Sequence, residues 1–294
     1  MKRTLAALVA ALGLLAACGS DAATTADTTT TLAAVDAPEA IVSMSASATE
    51  MLFAIGAGDQ VVAVDSTSNY PPEAPITDLS AYPPNVEAIS AYEPDLVITD
   101  GTGDLDASLD KIGINVLALP AATALQDTYD QIEQLGEVTG HVAEAEALVA
   151  AMQRDVDEIL QGVPARDEPL TFFHELDDTL YSVSSTTFIG SLYSLVGLEN
   201  IADAADADGQ SGGYPQLSAE YLVSANPAMI FLADTKCCEQ TAATVAARPG
   251  FSSLQAVTNG DVIELDDDVA SRWGPRVVDF LREIVAAVKA LTER

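Results

Sequence analysis

This chain has few basic residues. Of its 294 residues only 12 are Lys or Arg, against 45 Asp or Glu, and the formal net charge is −33. A surface so acidic repels phosphate backbones, which excludes nucleic acid and anionic lipid as the main partner. Two histidines and three cysteines are too few for the usual histidine-built zinc receptor. The apolar run from Leu5 to Ala17, broken by Gly13, falls short of the ~20 residues that a membrane span needs. Scarcity also has a positive use: in so acidic a chain, each arginine or lysine that falls among apolar neighbours carries information.

That short apolar run follows Lys2 and Arg3 and leads to Leu15-Ala16-Ala17-Cys18, the layout of a secretory signal over residues 1–18. The tetrad resembles the bacterial lipoprotein signal, which implies a lipid anchor on Cys18 and an extracytoplasmic protein held to the cell membrane. A plain signal peptide with a chance cysteine is the alternative. Residues 19–38 are mostly Thr, Ala and Asp, with little to bury, and read as a flexible tether. The two remaining cysteines, Cys237 and Cys238, are adjacent; outside the cytoplasm they form a disulfide, stay free, or bind a soft metal.

Two later stretches share one template. In the first, Asn85 precedes Glu87, Pro94 and the apolar run Leu96-Val97-Ile98, which ends at Thr99-Asp100. In the second, Ser218, Glu220, Pro227, Met229-Ile230-Phe231-Leu232 and Ala233-Asp234 repeat that order. Asn and Ser cap helices, Pro stops them, and a short apolar run beyond the stop is a buried strand. The same helix-strand unit occurring twice predicts two similar α/β lobes with a cleft between them.

At 49% hydrophobic, the chain can fill two cores. The first lobe is expected over residues 39–140, with strands at Ile41–Met44, Val61–Val64, Leu96–Ile98 and Val116–Leu119. A capping box, Ser47-Ala48-Thr49-Glu50, should start its first helix. Val142, Ala145, Leu148, Val149, Met152, Val156, Ile159 and Leu160 share a helical face, so residues 141–162 are read as one long linking helix. Residues 163–294 form the second lobe, with strands at Leu170–Phe173, Leu180–Val183, Met229–Leu232 and Asp261–Leu265 and a terminal helix from Pro275 to about Leu291. Strands alternating with helices predict mostly parallel, Rossmann-like sheets.

In such sheets ligands collect beyond the carboxyl ends of the strands. Those ends would bring Tyr70, Tyr82, Tyr214 and Trp273 to one groove as flat walls, with His174 and Arg272 as polar handles. That combination suits a bulky, rigid small molecule. Enzyme motifs are weaker. Gly209-Gln210-Ser211-Gly212-Gly213 matches the nucleophile-elbow pattern, but no strand precedes it and both histidines, His141 and His174, come earlier in the chain. His174-Glu175-Leu176-Asp177-Asp178 is half a zincin motif without its second histidine. The pair Asp177-Asp178 and the run Asp266-Asp267-Asp268 read as solvated turns. Glu87 and Glu220 either complement helix N-termini or offer two matching charges to a partner with paired basic residues.

From Ile41-Val42-Ser43-Met44 through Ser47-Ala48-Thr49-Glu50 to Gly56-Ala57-Gly58, and again at Tyr70-Pro71-Pro72-Glu73 and Asn85-Val86-Glu87, the chain resembles the substrate-binding proteins of ABC importers for ferric siderophores and cobalamin. Thr187-Phe188-Ile189-Gly190, Tyr214-Pro215-Gln216-Leu217 and Ser271-Arg272-Trp273-Gly274-Pro275-Arg276 extend the resemblance to about residues 38–294. It implies a monomeric, non-enzymatic receptor without a cofactor that captures a metal chelate between two lobes joined by a long helix. It also implies that Glu87 and Glu220 meet arginines of the permease. Tyr82 would contact the ligand, and Arg272 and Trp273 would face it. A receptor for free metal ion and a secreted serine hydrolase acting through Ser211 are the alternatives.

Overall fold

Every pairing between strands among the described residues is parallel, in two sheets of identical order. A computed structural model describes residues 37–294; the expected signal, Cys18 and most of the tether lie outside the described residues. The first sheet runs β2-β1-β3-β4, from β1 (Ile41–Ser43), β2 (Val61–Val64), β3 (Leu96–Thr99) and β4 (Asn115–Ala118). The second runs β6-β5-β7-β8, from β5 (Leu170–Glu175), β6 (Leu198–Asn200), β7 (Met229–Leu232) and β8 (Val262–Glu264). The repeat read in the sequence is thus one part of a repeated lobe.

Parallel strands need crossovers, and helices supply them. Helices α1 (Ala46–Ala54), α2 (Val86–Ser90) and α3 (Leu105–Asp110) serve the first sheet. Next come α4 (Leu125–Thr139) and the twenty-residue α5 (Val142–Gln161). Helices α6 (Phe188–Leu195), α7 (Ala219–Ala225), α8 (Ala242–Ala247) and α9 (Gln255–Asn259) serve the second sheet; α10 (Asp267–Ala270) and α11 (Val277–Thr292) end the chain.

Side chains alternate along each strand and so feed two cores. In β3, Leu96 and Ile98 enter one apolar cluster while Val97 enters another. In β7, Met229 and Phe231 join the same first cluster, and Ile230 and Leu232 a third. The shared cluster therefore spans both lobes. It includes Ala145, Val149, Met152 and Val156 of α5, spaced three and four residues apart on one helical face, and Phe280, Ile284 and Val288 of α11. Each buried side chain of this size contributes roughly 1.5–3 kcal/mol, so a common core resists independent movement of the halves. Gly136 lets α4 lie against α5, because a Cβ there would sit 2.5 Å from that of Ala145.

Two local expectations are corrected. Residues Leu180–Val183 form no strand: Leu180 has φ 69°, and Tyr181 makes only an isolated antiparallel bridge to Gln216. The edge strand is instead β6, three residues long and preceded by Gly197, too short to show an apolar pattern. The cap of α1 is Ser45 rather than Ser47; the Ser45 hydroxyl accepts from the Ala48 N–H at 3.3 Å. Starting the helix two residues earlier turns Ser47 and Glu50 toward the second lobe, where both find partners.

Candidate functional site

The carboxyl ends of β1, β2 and β3 face the turn after β8, and between them lies a cavity of about 330 Å³. From the first lobe it is lined by Ser45 and Ser47, by Asp65 and Thr67 just beyond β2, by Ala81, and by Asp100 just beyond β3. From the second lobe come Asp268, Ser271, Arg272 and Trp273. Other hollows, one of about 350 Å³ bordered by α5 and α11 and one of about 520 Å³ at the starting end of β2, lie away from the strand ends. Crossover topology leaves the carboxyl ends of the strands open, so the cavity between the lobes is the candidate site.

Its two halves are joined by one buried carboxylate. Glu50, in α1 and only 3% exposed, accepts from Arg276 Nε at 3.0 Å and Nη2 at 2.5 Å, and from Arg272 Nη1 at 2.9 Å. The other Arg272 nitrogen, Nη2, donates to Thr67 O, to Asn69 Oδ1 and to Asp268 Oδ1. Gly274 lies so close to Glu50 that an added Cβ would come 3.0 Å from Oε2. A side chain there would push the turn off the carboxylate. Burial alone would raise the pKa of Asp268, but hydrogen bonds from Lys236 and Asn69 and the Arg272 charge hold it below the usual carboxylate range.

Trp273 is fixed from the first lobe as well. Its backbone N–H donates to Ser47 Oγ at 3.2 Å, and its indole Nε1–H donates to Gln131 Oε1 of α4 at 3.1 Å. The ring is partly buried against the shared core and borders the cavity. Arg272 and Trp273 are thus the two expected binding residues that the structure brings together at the cleft.

The other four are placed elsewhere. Tyr82 is 93% exposed, and its neighbour Ala81 borders the cavity instead. Tyr70 covers the Arg276 guanidinium at 4.1 Å and lines a second hollow between the lobes, bordered by Glu50 and Phe53 on one side and Pro275 and Arg276 on the other. Tyr214 stands half-exposed in the turn before α7. His174 is corrected outright: it is wholly buried, Nδ1 lies 2.8 Å from the Tyr193 hydroxyl, and its ring meets Phe280 edge-on. Desolvation lowers its pKa to about 3, so the imidazole is a neutral core group rather than a handle. Along β5, its position sends it to the same side as Phe172.

Glu87 and Glu220 occupy equivalent positions. Each is the second residue of the helix that leads into the third strand of its lobe, and each is exposed. The caps match too: Asn85 Oδ1 accepts from Ala88 N–H and Ser218 Oγ from Tyr221 N–H, both at 3.1 Å. Ser211 lies in an exposed turn after no strand and before no helix, its N–H donating to Asp206 Oδ1, so it is no nucleophile elbow. Glu175, the glutamate of the half zincin motif, lies in a strand and is held by Arg248 through two bonds of 2.6 Å. Cys237 and Cys238 are joined to each other. Nor are Asp266, Asp267 and Asp268 idle turn residues. Asp266 and Asp268 pair with Lys236, while Asp267 accepts backbone N–H bonds from Thr235, Lys236 and Cys237.

Sequence reasoning missed Glu50, Arg276 and Asp65. The scarcity of arginine was the signal available for Arg276; Asp65 was marked only by its place just beyond the expected strand Val61–Val64.

Comparison with known proteins agrees with this architecture. A family model described as periplasmic binding protein matches residues 41–269. An ABC transporter substrate-binding lipoprotein of Bacillus subtilis strain 168, YvrC, is 30% identical over 265 residues, which cover 85% of this chain and 80% of the relative. A cobalamin-binding protein of Halobacterium salinarum is 31% identical over 260 residues, 85% of this chain and 69% of the relative. Among solved structures, the apo periplasmic heme-binding protein RhuT from Roseiflexus sp. RS-1 has the same fold. It superposes with a TM-score of 0.75 at 23% identity, covering 86% of this chain and 98% of that one.

Proposed function

This chain belongs to the periplasmic binding protein family, and from that premise we propose that it is the extracytoplasmic receptor of an ABC importer, capturing a metal chelate between its lobes and delivering it to the permease. The observation that carries the reading is the cavity at the strand ends, bordered by both lobes and by the fixed pair Arg272 and Trp273. A flat indole edge and a guanidinium beside hydroxyl-bearing Ser47, Thr67 and Ser271 suit a large organic ligand with a polar rim.

The shared core and the Glu50 contacts hold the lobes in one arrangement, so the cleft is preformed and closes little on binding. Glu87 and Glu220 dock the receptor on basic residues of the permease, one from each lobe. The equivalent placement of the two glutamates supports that role. A lipid on Cys18 keeps the receptor at the membrane, in line with the lipoprotein relative; among the described residues no helix is long and apolar enough to cross it. The receptor acts as a monomer and does no chemistry on its cargo.

A chelate brings its own metal ligands. Among the described residues no group of three or more His, Cys, Asp or Glu could hold a bare ion. The test is a titration of the mature protein with cyanocobalamin, ferric hydroxamates and haemin, followed by fluorescence of Trp273, the single tryptophan. Saturable quenching by one of these chelates is expected. Absence of both quenching and calorimetric heat with every chelate would remove the reading.

A further inference from the structure

Charge in the cleft is not balanced. Among the described residues, Lys236, Arg248, Arg272 and Arg276 are the cations at this end of the lobes, and ion pairs match them to Asp266, Asp268, Glu50 and Glu175. Asp65 and Asp100 border the same cavity and have no cationic partner. Asp100 Oδ1 accepts only from its own turn, Thr102 N–H and Oγ1. Asp65 is 1% exposed, and three bonds of 2.9 Å, from Thr67 N–H, Thr67 Oγ1 and Ser68 N–H, converge on its Oδ1. Its Oδ2 is buried and has no hydrogen-bond partner. A buried carboxylate oxygen left unpaired is costly, so a donor delivered to it when a ligand settles in the cavity would recover that loss.

The N-terminus of α1 opens at the same cavity, with Ser45, Ala46 and Ser47 among its lining. A helix end carries only ~0.5 of a positive charge, partly satisfied here by the Ser45 cap, and so does not offset two carboxylates.

We propose that the cleft selects its cargo by charge: Asp65 and Asp100 turn away chelates that present carboxylates or other anionic groups and accept a neutral or cationic chelate whose outward N–H groups donate to them. This deepens the chelate-capture reading and rests on it. It separates the cargo from haem, whose propionates would meet these carboxylates, and from anionic ferric siderophores. Amide-rimmed corrinoids and cationic ferric hydroxamates have the required periphery.

The mature protein would be titrated by calorimetry at low salt with four probes: cyanocobalamin, ferrioxamine B, haemin and a ferric tricatecholate. At least one of the first two should bind about tenfold or more tightly than either anionic probe, a difference of about 1.4 kcal/mol. Adding salt should shrink the discrimination. Asp65→Asn and the less buried Asp100→Asn should each narrow it, by weakening the cationic probe and admitting the anionic ones. Asp100→Asn keeps the test open if Asp65→Asn does not fold. An anionic chelate binding as tightly as the neutral or cationic ones would overturn charge selection while leaving chelate capture standing. So would wild-type discrimination in the folded variants. If no chelate of any charge binds, chelate capture fails and this inference goes with it.

Discussion

Glu50 and Arg276, 226 residues apart in sequence, meet through two hydrogen bonds across the junction of the lobes, at 3.0 and 2.5 Å. Arg272 adds a third to the same carboxylate, and the Tyr70 ring lies over the Arg276 guanidinium. A single acidic side chain from the first lobe thus anchors the turn that carries Arg272 and Trp273 in the second. Its value lies in placement more than in net energy, because desolvation offsets much of a buried pair's attraction.

Removing one partner from such a network is a different matter. Glu50→Gln leaves two guanidinium groups facing a neutral amide and should cost about 3–5 kcal/mol of stability. Urea unfolding would read this as a lower midpoint, and the folded fraction should bind chelate more weakly because Arg272 is released. A midpoint equal to wild type would mean that the apolar core alone fixes the lobes.

Docking and capture should separate genetically. Charge reversal of both outer glutamates, Glu87→Lys with Glu220→Lys, should abolish uptake by cells carrying the permease while leaving ligand affinity as it was. Loss of affinity in the purified double variant would count against a docking role.

Trp273→Ala should have the complementary effect. Buried aromatic anchors typically contribute about 2 kcal/mol or more, so the dissociation constant should rise about thirtyfold. Calorimetry must be used, since the variant lacks the only tryptophan. Unaltered binding would take the indole out of the site.

Two buried groups should pull stability in opposite directions with pH. His174 titrates near 6.5 when unfolded and at about 3 when folded, because burial disfavours its charged form. The unfolded chain therefore binds the extra proton first. The stability contributed is complete above pH 6.5 and declines as pH falls toward 3, by on the order of 5 kcal/mol. In His174→Phe the acid limb of a stability profile should be shallower than in wild type.

Asp234 behaves the other way. Burial, then the nearby Glu175 charge, raises its pKa from 3.8 to about 7, and neither carboxylate oxygen has a hydrogen-bond partner. Its contribution is complete below 3.8 and is lost as pH rises through 7. Asp234→Asn should gain stability relative to wild type between pH 5 and pH 8. Parallel profiles for the two proteins would show that the carboxyl group does not titrate in that window.

Much of this was legible in one dimension. The helix–Pro–strand template announced a duplicated α/β lobe because caps, breakers and apolar runs act within a few residues of one another. The face shared by Val149, Met152 and Val156 marked α5 for the same reason. Arg272 and Trp273 stood out as a basic and an aromatic residue in a polar turn of a chain poor in both. The strand β6 escaped because three residues cannot establish a period, and the cap of α1 was misplaced because Ser45 and Ser47 satisfy the same local rule.

Local chemistry thus determined the fold class, the repeat, the long helix and the turn beside the cleft. Tertiary structure alone decided that His174 is core, that Tyr82 points to solvent and that Tyr70 covers an arginine, since burial depends on what packs from distant sequence. It also decided that Glu50 and Arg276 belong together and that Asp65 is left unmatched at the cavity. Charge pairing is a property of distance in space, and a chain that bends back over two hundred residues does not write that distance into its order.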